Sequence, residues 1–313
     1  MGSAALRYLL YRVVRAALTA FAVVSLVFLL IRAVPGDPVD AMLGEQASPE
    51  DRASVRRALH LDEALPVQYL RFLGDVGDGT LGRSFRAPDT SVRTLIEEAF
   101  PPTMELAAWA LAVAWLTAIP LGVLAAAKRG TSIDRVASFF ALTGLALPTI
   151  WLGPLLVLLF GVKLRWLPLP GDDPSAAGAL VLPAITIGLA LAAGLTRQTR
   201  AAMLEVLAQP YVAAARARGV TRTRVFFQHA LRNALLPVLT LGAAQLGALL
   251  SGAVIAEKIF ERPGLGTLFL EGFFARDIPV VQGVVLLVGL IYVLVNVGLD
   301  IAYALVDPRV RLA

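Results

Sequence analysis

The 313-residue sequence has no cysteine, three lysines and two histidines, and only 16% of it is charged. Without cysteine there is no disulfide, no thiolate metal site and no cysteine nucleophile. The lysines, Lys128, Lys163 and Lys258, lie outside any G-x-x-x-x-G-K-[ST] pattern, so the chain carries no P-loop of its own. His60 and His229 fall on opposite sides of the membrane in the topology that the loop charges set, so they cannot share a metal, and no cofactor site is legible. No paired acid and base or metal constellation marks an enzyme. The scarcity of charge, with 58% hydrophobic residues and a mean hydropathy of +0.73, excludes an ordinary soluble domain and implies an integral membrane protein. The net charge of +5 then reads as arginines of cytoplasmic loops, with no nucleic-acid partner.

What is present is a set of long apolar runs. A helix needs about 20 apolar residues to cross a bilayer. The charge-free stretches are Ala16–Ile31, Leu106–Ala127, Val136–Val162, Pro174–Thr196, Asn233–Ala256 and Ile278–Leu299. The first extends back toward Leu9, with Arg12 and Arg15 snorkelling to the interface, and no cleavage site follows it, so it reads as a retained span. Six spans put both termini on one side. With that side cytoplasmic, the inner segments hold 15 Lys/Arg against 4 Asp/Glu, and the outer segments 13 against 19. Eight of the outer positives sit in one long loop that counts little in this rule, so both termini are expected inside. Pro120, Pro148, Pro154, Pro183 and Pro237 interrupt the runs and predict kinks, whether for shape alone or for gating.

The expected division is a first helix over 1–31, an extracytoplasmic loop subdomain over 32–100, and a five-helix core over 101–313. In the outer loop, Ser48-Pro49-Glu50-Asp51 has the pattern of a helix start, and a helix is expected from there to about Leu59. Pro66–Gly74 suits a second. Asp89–Phe100 places Val92, Leu95, Ile96 and Ala99 on one face, which suits a helix lying on the membrane surface. The loop reads either as a cap that receives a partner or substrate, or as a packing lid.

The inner segment 197–232 is the most basic. Pro210 suits the first position of a helix, Tyr211–Arg218 continues it, and Gly219 stops it, giving a helix of about nine residues. Thr221 suits the cap of the next helix, which carries Val225, Phe226 and Phe227 toward the fifth span. Small residues at Ala213, Ala214 and Ala215 would let another protein's backbone come close, and Arg216, Arg218, Arg222 and Arg224 would suit an acidic cleft. A basic helix resting on anionic lipid is the competing reading. Within the spans, Gln245 and Asn296 are candidates for lining a pathway, or for hydrogen bonds that hold helices together.

Taken in order, these segments resemble the membrane-spanning permease subunit of a bacterial ABC importer, the B-type subunit of the dipeptide, oligopeptide and nickel uptake family. The resemblance covers essentially the whole chain. It rests on Arg7-Tyr8-Leu9-Leu10, Pro35-Gly36-Asp37-Pro38, Leu81-Gly82-Arg83-Ser84, Trp166-Leu167-Pro168 with Pro170-Gly171, Tyr211–Gly219 followed by His229-Ala230-Leu231, Glu257 and Phe260 with Pro263-Gly264-Leu265-Gly266, and Asp300, Tyr303 and Asp307-Pro308-Arg309. It implies an all-α type I permease fold of six transmembrane helices in the inner membrane. It implies no catalysis by this chain. Two ATP-binding subunits, a second homologous permease subunit and an extracytoplasmic binding protein are the implied partners. The inner segment becomes the family's coupling loop, with Tyr211, Ala213, Ala214, Ala215, Arg216, Arg218 and Gly219 meeting the ATPase. Ala213 stands where many relatives carry an acid. The proline often found after that glycine is missing, with Asn233 near its place and Pro237 one turn later. Di- and oligopeptides are the implied substrates, with a nickel complex or glutathione as alternatives within the family. A secondary transporter or channel is the reading from another class, and the near-absence of ionisable residues in the spans counts against it.

Overall fold

A computed structural model describes residues 3–33, 36–43, 47–173, 176 and 178–306. Pro35, Pro174 and Asp307-Pro308-Arg309 lie outside the described residues, as do the side chains of Arg7–Leu10, Arg12, Arg222, Asp300 and Tyr303. The chain runs through α1 (Ser3–Ala33), α2 (Pro38–Leu43), α3 (Pro49–Ala58), α4 (Leu65–Gly77), α5 (Val92–Ala127), α6 (Ser132–Ala146) and α7 (Thr149–Leu156). A π-helical segment, Val157–Lys163, continues α7. Then come α8 (Val181–Leu207), α9 (Pro210–Ala217), α10 (Arg222–Arg224), a second π-helical segment (Val225–Leu231), α11 (Arg232–Ile259), α12 (Leu265–Phe274) and α13 (Ile278–Val306). Among the described residues, extended pairing is limited to one bridge between Arg83 and Ser91.

Among the described residues, four helices are long and apolar enough to cross a membrane: Val14–Arg32 of α1, α5, α8, and Ile278–Gly298 of α13. A fifth span arises if α6 and α7 with its π-helical continuation count as one. The run expected as a single span over 136–162 is instead two helices bent by 105°. Its cause is local. Pro148 disfavours helical backbone at the residue before it, and Leu147 sits at ψ 113°, in the extended region. The expected run at 233–256 falls within α11, whose 28 residues measure about 42 Å at 1.5 Å each.

The chain divides into two compact units, Met1–Thr103 with Pro263–Ala313, and Met104–Arg262. In the first, α13 packs against α1 and α12. Val24, Phe28, Phe72 and Leu286 form one core cluster, and Val92, Ile96, Leu265, Val280 and Val284 another. Ser48 caps α3 by accepting the N–H of Asp51 at 3.1 Å, with Pro49 in the first turn. The stretch 89–100 does not form a separate surface helix. From Val92 it is the first part of α5, and Val92 and Ile96 are buried. Pro101 and Pro102 do not break that helix. The carbonyls they leave without an N–H belong to Glu97 and Glu98, both exposed residues that solvent can serve.

In the second unit α8 is central, packing against α11, α6 and α7. Lipid is as apolar as leucine, so helix association in a bilayer rests on close fit more than on burial. Gly188 shows this fit: a β-carbon there would lie 2.8 Å from the carbonyl oxygen of Ala110 and 2.7 Å from Val113. Exposed Leu116, Phe139 and Trp151 would be liabilities in water and are ordinary against lipid.

Candidate functional site

The α8–α11 connection is built on a short helix held at both ends. Gln209 precedes α9 with extended backbone (φ −70°, ψ 145°). Pro210 then fills the first turn, where its missing N–H costs nothing. The eight residues of α9 span about 12 Å, one residue fewer than expected. At the far end the N–H of Gly219 reaches the carbonyl of Arg216 at 3.0 Å, and the N–H of Val220 reaches that of Ala215 at 3.2 Å. This is a Schellman closure, and it needs a left-handed residue between the two bonds. Gly219 supplies it at φ +81°. A β-carbon on Gly219 would meet nothing within 4 Å, so conformation alone accounts for the glycine there.

The helix has two faces. Val212 and Ala215 are buried with Val225, against Leu207 and Val220. Tyr211, Ala213, Ala214, Arg216, Ala217 and Arg218 are exposed. The three consecutive alanines therefore differ: Ala213 and Ala214 face outward, and Ala215 is part of the packing that holds the helix. Tyr211 ties α9 to the helical run that leads into α11. Its hydroxyl accepts from Asn233 Nδ2 at 2.7 Å and donates to the carbonyl of His229 at 3.3 Å. Arg224 donates to Gln228 Oε1 at 2.8 Å, within its own helical run.

Sequence reasoning missed a bidentate ion pair next to this connection. Arg200, near the end of α8, places Nε 2.6 Å and a second nitrogen 2.9 Å from the two carboxylate oxygens of Asp134 in the first turn of α6. The N–H of Gly130 adds a third donor at 2.9 Å. The fork-to-fork geometry is the strong form of this interaction, and Asp134 is buried. The available signal was Asp134 itself, an acid between Lys128, Arg129 and Arg135.

The intramembrane candidates belong to α11 and α13. Gln245 Nε2 donates to the carbonyl of Leu191 at 3.1 Å, bridging α11 to α8, while its buried Oε1 has no partner among the described residues. Asn296 is exposed and donates to the carbonyl of Tyr292 in its own helix at 2.7 Å. Among the described residues no group of three or more His, Asp or Glu could hold a metal ion.

An all-helical chain with several membrane-length helices and a short, capped helix between two of them is the architecture of a membrane transport component. The chain belongs to the family of binding-protein-dependent transport system inner membrane components: the family's main model matches residues 118–312 and its amino-terminal model residues 5–107. It is 40% identical to the di/tripeptide transport system permease protein of Pseudomonas aeruginosa, over 94% of this chain and 95% of that one. It is 38% identical to the glutathione transport system permease protein of Salmonella paratyphi A, over 98% and 99%. Its fold is similar to that of the MetNI methionine ABC transporter in an inward-facing conformation, with a TM-score of 0.57 and 18% identity over 68% of this chain and 96% of that one.

Proposed function

We propose that this chain is a peptide-importing permease subunit that forms half of a translocation pathway and is driven through α9. Six spans with both termini cytoplasmic place the α8–α11 connection on the ATPase side and the segment 36–91 outside. In this reading ATP hydrolysis belongs to two partner subunits, the other half of the pathway to a second, similar permease, and delivery to an extracytoplasmic binding protein. The observation that carries the coupling role is the division of α9. Its buried face (Val212, Ala215) fixes it to the transmembrane helices, and its outward face is small and basic (Ala213, Ala214, Arg216, Arg218). A push on such a helix is passed to α8 and α11 because packing and the Tyr211–Asn233 hydrogen bond leave it little room to yield. Short peptides are the substrate class supported by the relatives, one named for di- and tripeptides and the other for glutathione, itself a tripeptide. Gln245 is proposed to hold α8 to α11 while presenting Oε1 within the bundle; for Asn296 a pathway role has no support beyond its polarity.

The test is reconstitution of the chain with its partner subunits in liposomes. ATP-dependent uptake of a labelled dipeptide is expected from the complete assembly, and none from this chain alone. Uphill uptake by the isolated chain would assign it to the secondary transporters instead.

A further inference from the structure

The first unit contains a cleft of about 330 Å³ that α9 and the transmembrane helices of the second unit do not explain. Its volume lies at the lower end of the range for small-molecule sites. It is walled by the α4 residues Phe72 and Asp75, by Gly82 and Arg83 of the following turn, and by Gln282 in the second turn of α13. Three features set it apart from an incidental groove. Gln282 is 5% exposed, yet its side-chain nitrogen donates to nothing among the described residues. A buried amide donor without an acceptor costs about 1–3 kcal/mol, so its persistence asks for a partner. Asp75 is half-buried, and its carboxylate makes no hydrogen bond or ion pair among the described residues; burial, with Asp78 nearby, pushes that carboxyl above the usual range. Gly82, at φ +82°, brings these walls together: a β-carbon there would lie 3.3 Å from Asp75 Oδ2 and 3.8 Å from Pro279, one turn before Gln282.

The cations around the cleft are not equivalent. Arg71 is taken up by both carboxylate oxygens of Glu63, at 2.7 Å each, and that bond holds the Glu63 carboxyl below its usual range. Arg32 bonds Gln68 and lies over the Phe28 ring at 3.5 Å. Arg83 spends one nitrogen on the carbonyl of Pro88 at 3.2 Å and has no carboxylate partner among the described residues. Among the described residues the walls thus offer a carboxylate that makes no hydrogen bond, though it feels the charge of Arg71, an amide donor without an acceptor and a guanidinium without a carboxylate partner.

From this arrangement we propose that the cleft binds a short zwitterionic peptide, with its α-ammonium on Asp75, its first carbonyl on the Gln282 amide nitrogen and its carboxylate toward Arg83. The site rests on the peptide reading of the transporter and adds to it a resting place on the permease itself. The chemistry is shared with one other source, a phosphatidylethanolamine headgroup, which also joins a primary ammonium to an anionic oxygen.

The experiment uses the full chain in phosphatidylcholine nanodiscs, with isotope-labelled Ala-Ala followed by equilibrium dialysis. Binding is expected, and Asp75→Asn and Gln282→Leu should each weaken it by about tenfold or more. N-acetyl-Ala-Ala, which has no ammonium, should be retained poorly by the unsubstituted chain and equally poorly by Asp75→Asn. Asp75→Glu, which restores the charge, should recover part of the affinity and so separates ligation from folding. Two results overturn the site: Ala-Ala retention independent of both Asp75 and Gln282, or loss of Ala-Ala when phosphatidylethanolamine is added to the discs, which would make the lipid the occupant. Uptake by the reconstituted assembly separates this from the transport reading. Peptide import without Asp75-dependent binding sinks the site and leaves the function standing. Asp75-dependent binding without peptide import does the reverse.

Discussion

Two buried carboxylates, one in each unit, hold their surroundings in opposite ways. Asp277, directly before α13, takes its hydrogen bonds from neutral donors. The Ser84 hydroxyl lies 2.5 Å away, the N–H of Phe85 at 3.1 Å and that of Arg86 at 3.4 Å. Asp134 takes its bonds mainly from a cation on another helix, Arg200, with only one backbone N–H from Gly130. Backbone donors fix the path of a loop, because the loop cannot turn without losing them. A guanidinium on a long side chain fixes only a distance between two helices, and Arg200, 30% exposed, can exchange its partner for water. The α4–α5 connection is thus built to keep one shape, whereas α6 and α8 are joined by a contact that can open when the helices move.

Removing the two carboxylates in turn should have unequal effects. Asp277→Ala leaves the buried Ser84 hydroxyl and the N–H of Phe85 without their acceptor, while the N–H of Arg86 keeps Ser84 Oγ at 3.2 Å, and should cost about 3 kcal/mol. The change should appear as faster tryptic cleavage after Arg83 and Arg86, both exposed and both in the loop that Asp277 organises. Asp134→Ala leaves an arginine that water can reach and should cost less, about 1–2 kcal/mol, read as a fall in thermal unfolding temperature in detergent. The charge swap Asp134→Arg with Arg200→Asp should recover part of that loss, because a contact between two side chains can be inverted. No swap can recover Asp277, whose partners are largely backbone. Equal costs for the two alanine variants would remove the distinction.

What could be read from the sequence divides in the same way between local and distant causes. The Ser48 cap, the Pro210 start and the Gly219 stop are decided within four or five residues, and the structure has all three. The partners of Asp134 and Asp277 lie 66 and 193 residues away, and no pattern along the chain joins them. Hydropathy joined α6 to α7 because apolar character continues through Leu147-Pro148, while the backbone preference at a single residue breaks the run. The surface helix expected over 89–100 instead continues through Pro101-Pro102 as part of α5, because the carbonyls those prolines orphan are on an exposed side. The unlike roles of Ala213, Ala214 and Ala215 were in principle legible: Val212 and Ala215 are three apart and share a face, which a reading based on residue size alone overlooks.

The α8–α11 connection allows finer changes. Gly219→Ala meets no atom and should cost only the strain of a left-handed alanine, about 1 kcal/mol. Gly219→Asn, better suited to that conformation, should cost less. If both proved neutral in thermal unfolding, the Schellman closure would have no energetic standing.

The smallest effect on stability belongs to the substitution with the largest expected effect on transport. Ala214 is exposed on α9, so Ala214→Trp should leave the stability of the isolated chain within about 0.5 kcal/mol of the original. Ala215→Trp forces an indole into the cluster of Val212 and Val225 and should cost about 1–3 kcal/mol by overpacking. The two neighbours therefore separate docking from folding. In the reconstituted assembly, Ala214→Trp should abolish ATP-driven peptide uptake while the chain remains folded, because a large side chain would hold the partner's surface away from the small outward face. Loss of uptake with Ala215→Trp would be ambiguous taken singly, since a loosened α9 would transmit no push even if docking survived. Full uptake by a stable Ala214→Trp chain would mean that the outward face of α9 is not where the driving subunit sits, and the coupling role would then have to pass to the π-helical segment Val225–Leu231, where Phe227 is the exposed large apolar side chain.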